Sequence, residues 1–237
     1  MLKVTNRLQF LQYLDSVAKI NDSAIFEINP EGISCLVASI DNTLILYTEH
    51  KEPQDITTTI NVPDIKKLHR VIDTIDGNSF DLTISSNNLQ YKGVNVKFKY
   101  HLFEDGFLAK PGLNLQKIKD FSYDIKFNVT KSLLQQLFKG STFASETNKV
   151  YFYTEDGKLK AELTDRSRHN TDVFAITIID GVDFKLEPLP INFDNIRLLT
   201  AVTNEYQFNI NTEYGVVVVE NCSDTTKLKY IISSLTQ

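Results

Sequence analysis

Only two cysteines occur in the chain, Cys35 and Cys222, and they stand at unrelated positions inside strand-like runs. That excludes a disulfide framework and a paired-cysteine metal site, leaving buried free thiols as the plain reading. Histidine is as sparse, with His50, His69, His101 and His169 in unrelated segments, so no metal-ligand spacing emerges. No apolar run approaches a membrane span, and the opening residues lack a charged-then-apolar leader; the chain is expected to be intracellular, with no membrane partner. Glycine-rich phosphate loops and nucleophile elbows are also missing. Ser167, His169 and Asp172 share a short polar run that reads as a solvated loop between strands rather than a triad. These absences point to a binding or scaffold protein, not an enzyme, with no metal and no cofactor.

Neither sign of charge dominates. Twenty-five Lys and Arg against 30 Asp and Glu give a formal net charge of −5, which excludes a protein held on nucleic acid by a globally basic surface. With 42% hydrophobic and 23% charged residues, the composition is that of a folded globular chain. Its 237 residues divide naturally into two units, each long enough to bury its own core.

What the sequence does contain is a repetition. Ile60-Asn61-Val62-Pro63-Asp64-Ile65-Lys66-Lys67-Leu68 returns in pattern as Ile191-Asn192-Phe193-Asp194-Asn195-Ile196-Arg197-Leu198-Leu199, 131 positions later. Each is an extended Ile-Asn step that turns into a helix start. Upstream, Asn29-Pro30-Glu31-Gly32 before an apolar run is answered by Thr154-Glu155-Asp156-Gly157, 125 positions later. A drift of a few residues is what loop insertions leave in a duplicated domain, because lengthening a surface loop costs little.

Periodicity gives each half the order helix, strands, helix, strands. Leu8, Leu11, Leu14, Val17 and Ala18 recur at helical spacing after Thr5 as a candidate N-cap. Strands are expected at 24–28, 33–38 and 43–47, then a helix over about Pro63 to Ile75 and strands ending in the alternating run Val94 to Tyr100. The second half repeats this with a strand through Phe121 to Val129, a helix capped by Thr130, strands at 149–153, 158–163 and 172–178, a helix over about Asp194 to Val202, and three further strands. The organisation expected is residues 1–106 as an N-terminal domain, 107–120 as a Pro-Gly-punctuated connector, and 121–237 as a C-terminal domain.

The cations are segregated. Arg7, Lys19, Lys66, Lys67, Arg70, Lys131, Lys139 and Arg197 fall on the polar sides of the four expected helices, and the polar face of the third, Lys131 to Lys139, has no acid on it. Lysines on solvated helix faces are ordinary, so the helices alone do not decide between a solvated surface and a phosphate-binding one.

Together the repeat, the element order and the connector resemble the DNA sliding clamp family, the polymerase processivity rings that include proliferating cell nuclear antigen and the trimeric clamps of phages. Lys227-Leu228-Lys229-Tyr230-Ile231-Ile232 is similar to that family's last strand, and Val216 to Val219 followed by Glu220 to the run before it. Ile231 in place of a second tyrosine, and Ser233-Ser234 in place of Ala-Pro, set a viral or phage origin above a cellular one. The resemblance implies an α+β fold of two tandem similar domains, each with two helices on antiparallel sheets, closing as a homotrimeric ring. It implies sequence-independent contact of the eight helix cations with double-stranded DNA, and DNA polymerase and a clamp loader as partners. A partner-peptide pocket would be formed by Ile40, Leu44, Leu113, Leu115, Ile231 and Ser233. Localisation would be the host cytoplasm for a phage protein and the nucleus for a eukaryotic one. A subunit of a specialised heteromeric clamp, and a duplicated β-rich structural or ligand-binding protein unrelated to DNA, remain as alternatives.

Overall fold

Strand β1 (Leu2–Val4) and helix α1 (Arg7–Ala18) open the first of two units in the computed structural model, which describes residues 1–113 and 122–235. This unit comprises Met1–Leu113 and, from far along the chain, Cys222–Lys229; the second comprises Asn114–Asn221 and Tyr230–Gln237. After α1 come β2 (Ala24–Asn29), β3 (Gly32–Ala38), β4 (Leu44–His50), β5 (Thr58–Val62), α2 (Ile65–Asp73), β6 (Phe80–Ser85), β7 (Asn88–Lys92) and β8 (Lys97–His101). One sheet runs β1-β6-β7-β8, and another runs β5-β2-β3-β4, each neighbouring pair antiparallel.

The helices form where the sequence supplies both an apolar stripe and a cap. In α1, Phe10, Leu11, Tyr13, Leu14, Val17 and Ala18 are buried, and the N-cap is Asn6, one residue beyond the expected Thr5, whose side chain accepts from the Gln9 N–H at 3.1 Å. In α2, Ile65, Leu68 and Ile72 are buried and Asp64 caps the first turn by accepting from the Lys67 N–H at 2.8 Å. Asn29 closes the β2–β3 hairpin, its side-chain oxygen accepting from Glu31 N–H at 2.8 Å and Gly32 N–H at 3.1 Å. Gly32 is required there, since a Cβ would meet the His50 carbonyl oxygen at 2.1 Å and the backbone has a φ of 146°.

The second unit repeats the first element by element: β9 (Ile125–Thr130), α3 (Lys131–Gly140), β10 (Lys149–Glu155), β11 (Lys158–Leu163), β12 (Phe174–Asp180), β13 (Leu189–Asn192), α4 (Phe193–Arg197), β14 (Glu205–Asn211), β15 (Val216–Cys222) and β16 (Thr226–Ser233). Its sheets are β9-β14-β15-β16 and β13-β10-β11-β12, the same two orders as before. The repeated Ile-Asn steps are therefore β5 running into α2 and β13 running into α4.

Helix α4 stops well short of the expected Val202 for a visible reason. The N–H groups that would extend it are taken by side chains: Thr200 donates to the Tyr230 hydroxyl at 2.9 Å, and Val202 and Thr203 to Asn221 Oδ1 at 2.7 and 2.9 Å. Burial of Phe193 and Ile196 anchors the single turn that remains.

Thr226–Lys229 of β16 belong to the first unit and run beside β4, with Thr48 Oγ1 donating to the Lys227 carbonyl at 3.0 Å, His50 Nδ1 3.1 Å from Thr226 Oγ1, and Lys51 N–H donating to the Thr225 carbonyl at 2.7 Å. Rising numbers on one side meet falling numbers on the other, so the two segments are antiparallel.

Candidate nucleic-acid interface and partner groove

Helices α1 and α2 are laced by three polar contacts. Arg7 Nη1 lies 3.3 Å from Asp73, His69 Nε2 3.7 Å from Asp15, and Lys66 Nζ 2.7 Å from Asp22. As numbers rise along α1 and the residues after it they fall along α2, which makes the pair antiparallel. Backbone bonds staple both ends: Arg7 N–H donates to the Asn78 carbonyl at 2.7 Å and Ile65 N–H to the Asp22 carbonyl at 2.8 Å.

This lacing sorts the expected DNA-contacting cations of the first unit. Arg7 also donates to the Asp73 carbonyl at 2.6 Å, and its Nε is buried without a hydrogen-bond partner, so it is built into the seam between the helices. Lys66 is exposed but committed to Asp22. Lys19, Lys67 and Arg70 are exposed and make no ion pair among the described residues. Arg70 in the last turn of α2 is also favoured there by the helix dipole.

In the second unit, α3 buries Leu134, Leu137 and Gly140 and exposes Lys131, Ser132, Gln135, Gln136 and Lys139. Neither lysine has an ion-pair partner among the described residues. Arg197 is fixed by three neighbours: Asp194 at 2.7 Å, Ser141 Oγ at 2.9 Å, and the Phe193 ring, whose centroid is 4.5 Å away. Its side chain keeps 45% of its exposure, so the guanidinium is both oriented and accessible. Unpaired lysines among uncharged Gln and Ser suit weak phosphate contacts that carry no base information.

A second feature of the first unit is a groove of about 490 Å³. Ile25, Val37, Ala38 and Ile40 line it from β2, β3 and the loop after β3, and Leu108 and Pro111 line it from the chain following β8. That later segment is tied to the sheet by an ion pair between Lys110 and Glu27. Ile40 is 95% exposed at the lip. Its loop is set by Asp41, which accepts from Ser39 Oγ at 2.6 Å and Thr43 N–H at 3.1 Å; these bonds hold its carboxyl below the usual range. A trough in which Ile25, Val37 and Ile40 alternate with the polar Asn21, Ser23, Ser39 and Asn42 is a shape that seats a few anchor side chains of a peptide and hydrogen-bonds the chain around them.

Of the residues expected in a partner pocket, Ile40 lines this groove. Leu44 is fully buried beneath the sheet and contributes no surface. Leu113 is half-buried and is not among the lining residues, and Leu115 lies outside the described residues. Ile231 and Ser233 belong to the second unit, the first buried and the second exposed. Leu108 and Pro111 fall in the expected connector, whereas Ile25 was not singled out from sequence. The signal for Ile25 was its alternation with the buried Ala24 and Phe26, which turns it to the other face of β2.

No metal-holding group of His, Cys, Asp or Glu occurs among the described residues. Ser167 Oγ donates to Asp165 at 2.6 Å, and Ser167 and Lys149 together pull the Asp165 carboxyl down to about 2; His169 stays exposed. The polar run 165–172 is a hydrogen-bonded loop.

No protein-family model and no curated protein matches the chain. Solved structures do. PCNA of A. fulgidus, bound by the C-terminal region of FEN-1, superposes with a TM-score of 0.75 at 12% identity, covering 100% of this chain and 99% of that one. Proliferating cellular nuclear antigen from Entamoeba histolytica gives 0.73 at 10% identity, covering 99% and 98%. The PCNA2-PCNA3 complex of Sulfolobus tokodaii gives 0.70 at 12% identity, covering 98% of each chain.

Proposed function

We propose that this chain, which has the fold of the sliding clamps, works as one: copies of it close into a ring around duplex DNA and tether a DNA polymerase to the template. It performs no chemistry of its own in this reading.

One observation carries the proposal. The two units have the same element order, so β16 is the counterpart of β8 and β4 the counterpart of β12. Thr226–Lys229 of β16 already occupies the edge of β4. Strands β8 and β12 are the same two kinds of edge, and among the described residues neither has a strand beyond it. Their sequences agree with this pairing: Lys97-Phe98-Lys99-Tyr100 in β8 matches Lys227-Leu228-Lys229-Tyr230 in β16, 130 positions later. Ile176, Ile178 and Ile179 of β12 are only half-buried, an apolar edge that a monomer in water would leave open to aggregation. Pairing β12 of one copy with β8 of the next repeats the existing junction head to tail, and heterologous contacts of this kind give a ring when the rotation per copy closes. Three copies make the ring implied by the resemblance.

Lys19, Lys67, Arg70, Lys131, Lys139 and Arg197 then serve as the DNA-contacting set, and the groove at Ile40 as the seat for a partner's peptide. The A. fulgidus clamp bound by a C-terminal region of another protein supports the second assignment. A heteromeric clamp is the second reading, favoured by the likeness to the PCNA2-PCNA3 complex.

The test has two parts. In solution the purified chain should sediment at three times 27.0 kDa. Loaded on a nicked circular plasmid by its loader, it should stay bound at high salt and be lost when the plasmid is linearised. Equal retention on the two DNAs would refute encirclement, and a monomer that forms a ring only with a second protein would favour the heteromeric reading.

A further inference from the structure

A cavity of about 320 Å³ opens between α2 and β8 in the first unit. Pro63, Val71 and Phe98 give it an apolar floor, and the exposed Lys67, Lys99 and His101 surround it together with the half-buried Asp64, whose carboxylate caps α2. None of these three basic side chains makes an ion pair among the described residues. The second unit has a matching projection. Phe143 is 59% exposed just past the end of α3, where its N–H donates to the Gly140 carbonyl at 3.0 Å. Gly140 is where α3 meets Phe174, the first residue of β12: a Cβ on it would lie 2.1 Å from that ring. Glu146 and Asp172 stand close in sequence to Phe143 and Phe174, exposed and without an ion pair among the described residues.

We propose that Phe143 of one copy fills the α2–β8 groove of the next, with Glu146 and Asp172 facing Lys99 and His101 around it. The inference rests on the ring reading above and adds the side-chain lock that fixes register. The junction of β4 with β16 supplies the direction: antiparallel, with the end of β4 at the start of β16. Its counterpart brings the start of β12 to the end of β8. The start of β12 carries the last turn of α3 and Phe143; the end of β8 carries Tyr100 and His101, beside the first turn of α2. Tyr100 holds that turn in place, its hydroxyl accepting from the Asp64 N–H at 3.0 Å and donating to the Asp64 carbonyl at 2.7 Å. Knob and groove therefore meet at the same end of the paired strands, with the acids Glu146 and Asp172 near the knob in sequence and Lys99 and His101 at the groove. A lone phenylalanine in an apolar pocket ringed by charge is the pattern that concentrates association energy in one anchor.

The experiment is sedimentation velocity on a dilution series of the intact protein. Phe143→Ala should raise the concentration of half-dissociation at least tenfold, with an unchanged far-ultraviolet circular dichroism spectrum because the side chain is exposed. Lys99→Glu should weaken assembly in a salt-dependent way, and adding Asp172→Lys and Glu146→Lys to it should restore assembly. A Phe143→Ala protein that dissociates at the wild-type concentration overturns the lock while leaving the ring intact. A wild type that stays monomeric throughout the series overturns the ring reading itself.

Discussion

The carboxylate of Glu52 lies 3.4 Å from Nε2 of His50, and both side chains are buried, with 5% and 2% of their surface exposed. Nδ1 of the same imidazole meets Thr226, and the Glu52 carboxylate also accepts from the Thr5 N–H. One imidazole and one carboxylate thus join the start of the chain, β4 and the last strand. Tyr13, 5.3 Å from the imidazole, packs over it from α1.

Glu52 makes the first prediction. Burial works to raise its carboxyl, but the adjacent His50 imidazole and the hydrogen bond from the Thr5 N–H outweigh that and hold it below the ordinary 4.5. A carboxylate lowered in the folded state contributes stability that is fully present above its unfolded value and is lost as pH falls through its folded value. Acid unfolding should therefore begin below about pH 4.5, and Glu52→Gln should flatten that limb while costing about 1–3 kcal/mol at neutral pH. Urea melts from pH 3 to 7 measure both effects; parallel pH profiles for the two proteins would contradict the assignment.

Contact with DNA should divide the helix cations by how they are held. Replacing Lys19 and Arg70 with alanine should reduce the slope of log affinity against log salt by about 0.9 for each phosphate that is no longer neutralised. Arg7→Ala should instead lower the melting temperature, by the equivalent of about 1 kcal/mol, because Arg7 bonds the end of α2. Fluorescence anisotropy with duplex DNA at several salt concentrations, beside thermal melts, separates the two behaviours.

For the peptide groove the informative change is Ile40→Asp. Ile40 is 95% exposed, so an acid there leaves the fold alone and places charge in the trough. Affinity for the C-terminal peptide of the polymerase should fall by about 2 kcal/mol, roughly thirtyfold. Ile231→Asp is a poor probe, since that side chain is 8% exposed and the change would bury a charge in the second unit. Calorimetric titration of the peptide is the measurement, and unchanged affinity for Ile40→Asp would move the site elsewhere.

Gly140→Ala sets two effects against each other. Alanine in a helix is favoured over glycine by about 1 kcal/mol. Here the new methyl would lie 2.1 Å from two atoms of the Phe174 ring and 2.6 Å from the carbon that attaches it, so the ring cannot simply swing its far end away. Overpacking should win, with a net loss of about 1–2 kcal/mol. A higher melting temperature in this variant would mean that α3 and β12 separate more easily than their packing implies.

The duplication was legible because it rests on local signals: the Ile-Asn steps, the cap Thr130, and the apolar stripes of α1 and α3. Helix ends were less so. Asn6 and Thr5 are chemically equivalent caps side by side, and α4 ends where Tyr230 and Asn221, distant in sequence, capture its next N–H groups. Burial of Leu44 was hidden because alternation assigns two faces to a strand without saying what covers each. Arg7 resembled any exposed cation until α2 placed Asp73 against it. The match of β8 with β16 was present in the sequence as Lys-Phe-Lys-Tyr and Lys-Leu-Lys-Tyr, too short a pattern to stand out before the sheet orders gave it meaning.

Because the first unit is completed by Cys222–Lys229, its sequence is not a continuous stretch. On a ribosome, β4 emerges long before its neighbour Thr226, and for most of translation its edge is an unpaired template for any strand nearby. The amino-terminal half cannot finish folding ahead of the carboxyl-terminal half. A premature stop anywhere before Thr226 therefore does not leave a sound first half with a missing second; it releases a fragment with an open sheet edge, a substrate for chaperones and proteases.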